Sequence, residues 1–335
     1  MKGTLLFCIL FCVGLHNKPV EAKEKPVDFA AMKSPIILRG DERTAFRDPT
    51  VLYYDGVFYL FCTKVAVEEN NEVYSYTVQC RSKDLIHWTT PETITPRDPN
   101  LNYSSPGNVV RYGDQWVLCL QTYPRPGLIW IPDDEPTYAN DSARLFVMRS
   151  TDLHQWSEPE LLRVLGPDVP CEKMGRMIDP YLIEDRHESG LWWCFFKSDG
   201  EIKYSQSQDL VHWTYRGQAA AGENPCVIWN KNGYRLYYSP DNGMQCKTSD
   251  DLLNWKEEGQ PIYLGQDAWR WAQGRITAGF VLDLKKETGK YLMFFHGSKG
   301  PLRGETTMNF DINSHIGLAW SDDLDTWHWA PGDTD

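Results

Sequence analysis

One heptapeptide pattern, Ser-x-Asp-Leu-x-x-Trp, constrains the fold of this chain more than any other feature of the sequence. It occurs five times, and the copies begin at Ser82, Ser150, Ser207, Ser249 and Ser321. Four fixed positions in seven, repeated five times, are far beyond chance. A repeat spacing of about 40 residues or more indicates a solenoid, a propeller or an array. The sequence therefore predicts one structural unit that is used five times.

Short runs with the character of β-strands precede every copy of the heptapeptide. In the third unit these runs are 181–184, 191–197 and 201–206. Three strands, then the heptapeptide, then a further short strand make a four-stranded antiparallel blade. No convincing amphipathic helix follows the N-terminal segment. The fold class predicted is all-β: a five-bladed β-propeller with four-stranded antiparallel blades.

The heptapeptide itself is predicted to be structural and to lie at the turn between the third and fourth strands. Its Ser and Asp side chains can hydrogen-bond the turn backbone, and its Leu and Trp can pack between blades. Five near-identical copies cannot all be one active site. Its carboxylates are therefore not predicted to be catalytic; they are Asp84, Asp152, Asp209, Asp251 and Asp323.

The N-terminus is typical of a secretory signal peptide. Lys2 precedes an apolar run over residues 5–13, and a plausible cleavage site follows Ala22. We predict a signal peptide over residues 1–22, a single propeller domain over 23–335, and a secreted or periplasmic location. The apolar run is too short to span a bilayer, although an N-terminal anchor or lipidation stays an alternative. The seven remaining cysteines are predicted to be free, buried thiols.

Composition narrows the class of partner. The formal net charge is -12, which makes nucleic acid or an anionic lipid surface a poor partner. The 14 Trp and 17 Tyr residues suit a carbohydrate, because sugar rings pack against aromatic faces, although Trp also fills cores. We expect an oligosaccharide or polysaccharide substrate and a monomeric protein.

The chemistry is expected where the blades differ, at the residues that open each blade and point into one end of the central channel. Three of the five openings supply a carboxylate, from Asp48, Asp179 and Glu223. Carboxylates that meet in one funnel repel each other, which is costly unless they bind a cation or perform acid/base work. Glycoside hydrolysis needs such a set: an acid for the leaving oxygen and a carboxylate for the water or the sugar. The alternative is that Asp-Pro is simply a good turn into a strand.

At these positions the chain resembles the five-bladed propeller glycosidases of glycoside hydrolase family 43, in the clan that also holds the family 32 fructan hydrolases. The resemblance lies in Arg47-Asp48-Pro49, Ile178-Asp179-Pro180 and Glu223-Asn224-Pro225. It implies that Asp48 is the general base, that Asp179 orients the acid and tunes its pKa, and that Glu223 is the general acid of an inverting reaction. It also implies arabinofuranosyl, xylosyl or similar side-chain sugars of plant or algal polysaccharides as substrates.

The sequence departs from the family pattern at two openings. Asn224 stands where many members have Gly, and Gly107 follows Ser105-Pro106 where an Ala-Pro-Asp pattern is frequent. These departures leave the substrate open and keep two alternatives: a phosphorylase on the same fold, as in family 130, and a non-catalytic, carbohydrate-binding propeller.

Further candidates surround the predicted channel. Arg47 lies beside the predicted base, and Arg275 could pair with Asp179. Three Trp side chains on predicted loops can either stack on a sugar or anchor the loop to the core; they are Trp130, Trp269 and Trp271. No cofactor is expected. The resemblance implies a structural calcium ion in the central channel near a blade-five His, for which His315 is a weak match.

Overall fold

A computed structural model describes residues 27–131, 137–231, 233–240, 243–299 and 312–332. The predicted signal peptide over residues 1–22 lies outside the described residues. The described chain is built from β-strands, and it contains no α-helix there. It includes three short 3-10 segments: Phe29–Ala31, Cys171–Lys173 and Arg270–Ala272. The all-β prediction is confirmed. None of the described segments is a helix long and apolar enough to cross a membrane.

The strands pair in sequence order within antiparallel groups. The first group is β2 (Thr44–Tyr54), β3 (Val57–Val67), β4 (Val73–Ser82) and β5 (Glu92–Thr93). The second is β6 (Tyr103–Ser104), β7 (Val109–Tyr112), β8 (Gln115–Thr122), β9 (Leu145–Ser150) and β10 (Glu160–Leu161), in which β6 and β7 both pair with β8.

The next two groups are four-stranded sheets. The third group is β11 (Ile178–Glu184), β12 (Trp192–Ser198), β13 (Glu201–Ser207) and β14 (Thr214–Ala221). The fourth is β15 (Glu223–Asn230), β16 (Gly233–Ser239), β17 (Met244–Ser249) and β18 (Lys256–Ile262).

The last group is joined to the first. It comprises β19 (Arg275–Leu284), β20 (Lys290–Ser298), β21 (Ser314–Ser321) and β22 (Trp327–His328). The N-terminal strand β1 (Ile36–Leu38) pairs antiparallel with β21, and a single parallel pair, Ala45 with Ser314, links β2 to β21. The N-terminal segment therefore completes the last sheet.

The opening strands of successive groups lie side by side. Strand β2 contacts β7, β7 contacts β11, β11 contacts β15, β15 contacts β19, and β19 contacts β2. The chain comes very close to β11 at Gly107, where a Cβ atom would lie 1.5 Å from the carbonyl oxygen of Pro180. Only glycine fits at that point. Aromatic side chains such as Trp193 and Phe195 fill the core outside these strands.

Each heptapeptide lies at the turn between the last two strands of its group. These are the predicted third and fourth strands, except in the five-stranded second group, where they are β9 and β10. The Asp carboxylate caps the turn: Asp84 Oδ1 accepts the backbone N–H groups of Ile86 (2.9 Å) and His87 (2.8 Å), and the other copies repeat this pair of bonds. Backbone hydrogen bonds of this kind lower the pKa of Asp251 and of Asp323 to about 2. These carboxylates are therefore ionised turn caps.

Six of the seven described cysteines are buried and Cys171 is exposed, and all seven are free thiols. Burial raises the pKa of the Cys119 and Cys226 thiols to about 12, so both remain protonated. The buried cysteines act as small apolar side chains.

Candidate active site

A cavity of about 370 Å³ opens where the strand groups begin, and residues of all five groups line it. Its wall includes all three predicted carboxylates, Asp48, Asp179 and Glu223, together with Arg47 and Arg275. Residues more than 220 positions apart in the sequence, such as Arg47 and Arg275, thus line the same cavity. The fold brings together the titratable groups that the sequence predicted would meet.

A shared backbone distortion sets the direction of the side chains at the cavity. One residue in each opening segment has a left-handed φ: 49° at Asp48, 40° at Ser105, 55° at Asp179, 54° at Asn224 and 56° at Ala278. The strand register shifts at this point in β2, β11, β15 and β19. Such bulges re-aim side chains, and a left-handed backbone in a non-glycine residue persists only where surrounding contacts hold it.

The three carboxylates do not occupy equivalent positions in this distortion. Asp48 and Asp179 occupy the left-handed position, but in the fourth group Asn224 occupies it and Glu223 precedes it. The counterparts of Glu223 are therefore Arg47, Ser104, Ile178 and Thr277. Asp48 and Asp179 therefore reach the cavity from the left-handed residue of the bulge, whereas Glu223 reaches it from the residue before.

Asp48 is a positioned carboxylate. Its Oδ2 accepts hydrogen bonds from the hydroxyl groups of Thr63 and Ser105, both at 2.9 Å. Its Oδ1 lies 3.5 Å from His296 Nδ1 and accepts no hydrogen bond from the described residues. One oxygen is therefore held in place, and the other is available to a ligand or a water molecule.

His296 contacts Asp48 and was not among the predicted site residues. It is 1% exposed, and its Nδ1 accepts the backbone N–H of Asp48 at 3.1 Å. Burial, together with the positive charges of Arg47 and Arg275, holds its pKa well below 6.5. The ring is therefore neutral, and it fixes the left-handed turn that presents the Asp48 carboxylate.

Asp179 is the most deeply buried of the three carboxyl groups. Its N–H donates to Gln121 Oε1 at 2.6 Å, and its Oδ2 accepts the N–H of Asn224 at 3.3 Å. Burial and the negative charge of Glu223 raise its pKa to about 7, although Lys197 acts in the opposite direction. Near neutral pH this group therefore exists in both the protonated and the ionised form.

Glu223 lies between two cations. Its Oε2 is 2.5 Å from Lys197 Nζ, and its Oε1 is 2.8 Å from Arg275 Nη2. All three side chains are at most 21% exposed. Arg275 thus pairs with Glu223 and not with Asp179, the partner that the sequence had suggested for it. Lys197 was not among the predicted residues.

Lys197 interrupts a regular pattern of hydrogen bonds between neighbouring groups. A side chain on the second long strand of one group accepts the N–H of the left-handed residue of the next group. The acceptors and donors are Thr63 for Ser105, Gln121 for Asp179, Ser239 for Ala278, and His296 for Asp48. In the third group this position holds Lys197, which cannot accept. The N–H of Asn224 therefore bonds the Asp179 carboxylate instead, and the Lys197 ammonium pairs with Glu223.

Solved structures resemble this arrangement, although sequence comparisons find no relative. No protein-family model matches the chain, and no curated protein matches it. A glycosyl hydrolase from Bacteroides ovatus matches with a TM-score of 0.61 at 12% identity, covering 90% of this chain and 93% of its own. An exo-1,5-α-L-arabinanase from a bovine ruminal metagenomic library matches with a TM-score of 0.56 at 16% identity, covering 85% and 94%.

A thermostable family-43 glycoside hydrolase also matches, with a TM-score of 0.57 at 13% identity, covering 88% of this chain and 96% of its own. This chain has the family-43 fold. At these identities the likeness concerns the fold alone. It agrees with the resemblance that the sequence motifs indicated.

Within this family-43 fold, the three predicted tryptophans do not lie at the cavity. Trp269 and Trp271 are 1% and 3% exposed and stack on Phe295 in the core. Trp130 packs against the apolar cluster that contains Val65 and Val67. The prediction that Trp269 and Trp271 stack on a sugar is therefore corrected: both anchor their loop, because burial leaves no face for a ligand. Trp130 is half-buried, and its contact with the apolar cluster anchors its loop.

One wall of the cavity is formed by four residues that were not among the predicted site residues. They are Tyr123, Arg125, Tyr138 and Arg176. The first three lie in the connection between β8 and β9, and Arg176 precedes β11. A long loop with aromatic and basic residues is a weak signal, because many exposed loops have this composition.

His315 does not fit the calcium site that was predicted for it. Its Nδ1 accepts the N–H of Gly40 at 2.9 Å, and burial together with the positive charge of Arg39 lowers its pKa to about 4. Among the described residues no group of three or more His, Cys, Asp or Glu side chains could hold a metal ion. His315 therefore binds the N-terminal segment.

Proposed function

We propose that this chain is an inverting glycoside hydrolase in which Asp48 acts as general base, Glu223 as general acid and Asp179 as the group that tunes the acid. The observation that carries the proposal is one cavity lined by all three carboxyl groups, of which one is buried beside another. Acid and base chemistry at one pH requires carboxyl groups with different environments. The family-43 fold adds support, since the matching structures are glycoside hydrolases.

We further propose that the strand groups are the five blades of one closed propeller. Support comes from the run of contacts that leads from β2 through β7, β11, β15 and β19 back to β2. The pairing of β1 with β21 joins the N-terminal segment to the last sheet, which is a common way to close such a ring. In this arrangement the cavity is the mouth of the central channel.

Asp48 suits the role of base because only one of its two carboxylate oxygens is held by hydrogen bonds within the protein. Thr63 and Ser105 hold Oδ2, so Oδ1 can take a proton from a water molecule without a change in side-chain orientation. An inverting enzyme needs room for that water, with the two carboxyl groups about 6.5–9.5 Å apart.

The proton donor is best described as the pair of Asp179 and Glu223. In the free protein Lys197 and Arg275 pair with Glu223, and burial raises the pKa of Asp179 to about 7, so that Asp179 carries a proton in part of the molecules near neutral pH. We propose that a bound leaving group separates Glu223 from Lys197 and lets the proton move to Glu223. Until then, repulsion between the Glu223 charge and an ionised Asp179 favours the protonated form of Asp179.

The substrate proposed from the resemblance is an arabinofuranosyl, xylosyl or similar side-chain sugar of a plant or algal polysaccharide. A single catalytic domain over residues 23–335, secreted or periplasmic and monomeric, is proposed with it. A glycoside phosphorylase remains the second candidate, and one observation favours it: Arg47, Arg176 and Arg275 all line the cavity, and a phosphate pocket needs such cations.

Hydrolysis of a panel of 4-nitrophenyl glycosides and natural oligosaccharides tests the proposal, with and without inorganic phosphate. Glu223→Gln and Asp48→Asn should each lower kcat by at least about a hundredfold, because each removes a proton-transfer group. Proton NMR of the first product formed reports its anomeric configuration. A product of inverted configuration supports the mechanism.

The outcomes separate the three readings. Turnover that requires phosphate and releases a sugar phosphate identifies a phosphorylase. Binding of an oligosaccharide without any turnover, equal in wild type and both variants, removes the catalytic proposal in favour of a carbohydrate-binding propeller. Arg111→Gln is the folding and charge control, since Arg111 is exposed and lies outside the cavity.

A further inference from the structure

The wall of the cavity formed by Tyr123, Arg125, Tyr138 and Arg176 is not used by the proposed acid/base chemistry. The guanidinium carbon of Arg125 lies 5.4 Å from the centroid of the Tyr123 ring, and that of Arg176 lies 5.9 Å from the same centroid. Two guanidinium groups therefore flank one aromatic ring that faces the cavity.

The charge of the described lining residues is positive, in a protein whose net charge is -12. Three carboxyl groups, those of Asp48, Asp179 and Glu223, face the cavity. Against them stand five cations, which are Arg47, Arg125, Arg176, Lys197 and Arg275. An acidic protein that concentrates cations in one concave site attracts anions there, because low-dielectric walls focus the field.

Arg176 is the cation least accounted for by the protein itself. Lys197 and Arg275 pair with Glu223, and Arg125 is 4% exposed and donates to the carbonyl of Thr137 at 3.3 Å. Arg176 is half-buried and lies over the Tyr123 ring. In the described part of the chain its guanidinium group has no carboxylate partner. A guanidinium presents a planar fork of donors that matches a carboxylate or a sulfate.

We infer that the sugar bound in this cavity carries a negative charge, as a uronic acid carboxylate or a sulfate ester, and that Arg176 binds this group with Arg125 beside it. The inference rests on the proposed glycosidase function, and it replaces the neutral pentose proposed from the resemblance with an acidic sugar. The Tyr123 ring holds the two guanidinium groups in place through cation–π contacts. An acidic sugar then sits with its charge on this wall and its glycosidic bond towards the carboxyl groups.

Direct binding tests the inference without any need for turnover. Isothermal titration of the full chain compares D-glucuronic acid, D-galacturonic acid and glucose 6-sulfate with D-glucose and D-galactose. The acidic sugars should bind at least about tenfold more tightly than their neutral counterparts, as expected for a charge-assisted hydrogen bond. Raised salt should narrow this difference.

Variants assign the effect to the wall. Arg176→Gln should reduce the preference for the acidic sugar about tenfold, and Arg176→Lys should restore part of it by returning the charge. Arg111→Gln is the matched control, because Arg111 also lies over an aromatic ring, 4.9 Å from the centroid of Trp116, but is exposed and outside the cavity. It should keep the wild-type preference, and thermal unfolding of each variant reports its folding.

Equal affinity for acidic and neutral sugars overturns the inference, and so does the same loss of preference in Arg176→Gln and Arg111→Gln. Tight binding of inorganic phosphate alone, with no preference among sugars, overturns it as well. The glycosidase proposal fails separately. If neutral glycosides are cleaved and acidic sugars are not preferred, the hydrolase proposal stands and the inference of an anionic substrate fails. If acidic sugars are preferred but no glycoside is cleaved, the inference of an anionic ligand stands and the hydrolase proposal fails.

Discussion

At Asp179 the folded environment favours the protonated carboxyl group over the ionised one. Burial and the charge of Glu223 raise the pKa from 3.8 to about 7. The folded protein therefore binds this proton more tightly than the unfolded chain does. The resulting contribution to stability is complete below the unfolded pKa, near 3.8, and is lost as the pH rises through about 7.

We expect Asp179→Asn to flatten the pH dependence of stability, because the amide keeps the acceptor for the Asn224 N–H but cannot ionise. Between pH 5 and pH 8 the wild type should lose more unfolding free energy than the variant, by an amount on the order of a few kcal/mol. Urea denaturation at both pH values measures this difference. Asp152→Asn is the control, since this exposed turn residue is already ionised throughout the range. An unchanged pH slope in Asp179→Asn would contradict the assignment.

At the scale of the element, the heptapeptide turn combines a strained backbone with a buried side chain. Its leucines have φ values of 65°, 62°, 58°, 63° and 74°, and they are 0–3% exposed; they are Leu85, Leu153, Leu210, Leu252 and Leu324. A left-handed backbone costs about 1–2 kcal/mol in a residue with a Cβ. Burial of the leucine and the Asp cap offset that cost, which explains why the motif keeps both residue types.

Substitutions at Leu252 and at the next residue, Leu253, distinguish the contribution of core packing from that of the turn itself. Leu252 is fully buried, whereas Leu253 is 49% exposed in the same turn. Leu252→Ala should lower the free energy of unfolding by about 2–4 kcal/mol, because it leaves a cavity in the core. Leu253→Ala should change it by no more than about 0.5 kcal/mol. Chemical denaturation of the two variants measures both values, and equal losses would show that the turn rather than the core packing sets the cost.

At the scale of the whole molecule, the N-terminal segment holds the last group in place. Val27, Met32 and Ile36 are buried in the largest apolar cluster. The N–H of Leu318 donates to the carbonyl of Pro35 at 2.8 Å, next to the pairing of β1 with β21. Without this segment, β21 would expose unpaired backbone groups along part of its edge.

A chain that begins at residue 39 should therefore unfold at a temperature at least about 5 °C below that of a chain that begins at residue 27, and it should aggregate more readily. Differential scanning calorimetry and light scattering on the two chains measure these effects. The chain from residue 27 is the matched control, because both lack the N-terminal 26 residues. Equal unfolding temperatures would mean that β1 contributes nothing to closing the fold.

The repeat was enough to predict the strand pattern, because each copy marks a turn whose backbone the Ser, Asp and Leu side chains determine locally. In the third unit the predicted runs 191–197 and 201–206 lie within one residue of the observed Trp192–Ser198 and Glu201–Ser207. The three carboxyl groups were predictable for the same reason, since the repeat shows where each opening strand begins. That they share one cavity follows from the way the groups associate.

Lys197 and His296 could not be identified in this way. Their roles come from cross-strand register, with Lys197 opposite Ile178 and His296 opposite Thr277, and from contact with the following group. The tryptophans illustrate the opposite error. The residue type and loop position of Trp269 and Trp271 suggested that they stack on a sugar, yet their neighbours bury them. Local sequence governs turns and strand alternation because these depend on a few adjacent residues. Side-chain burial, charge pairing and proton affinity depend on residues far apart in the chain, so only the assembled fold decides them.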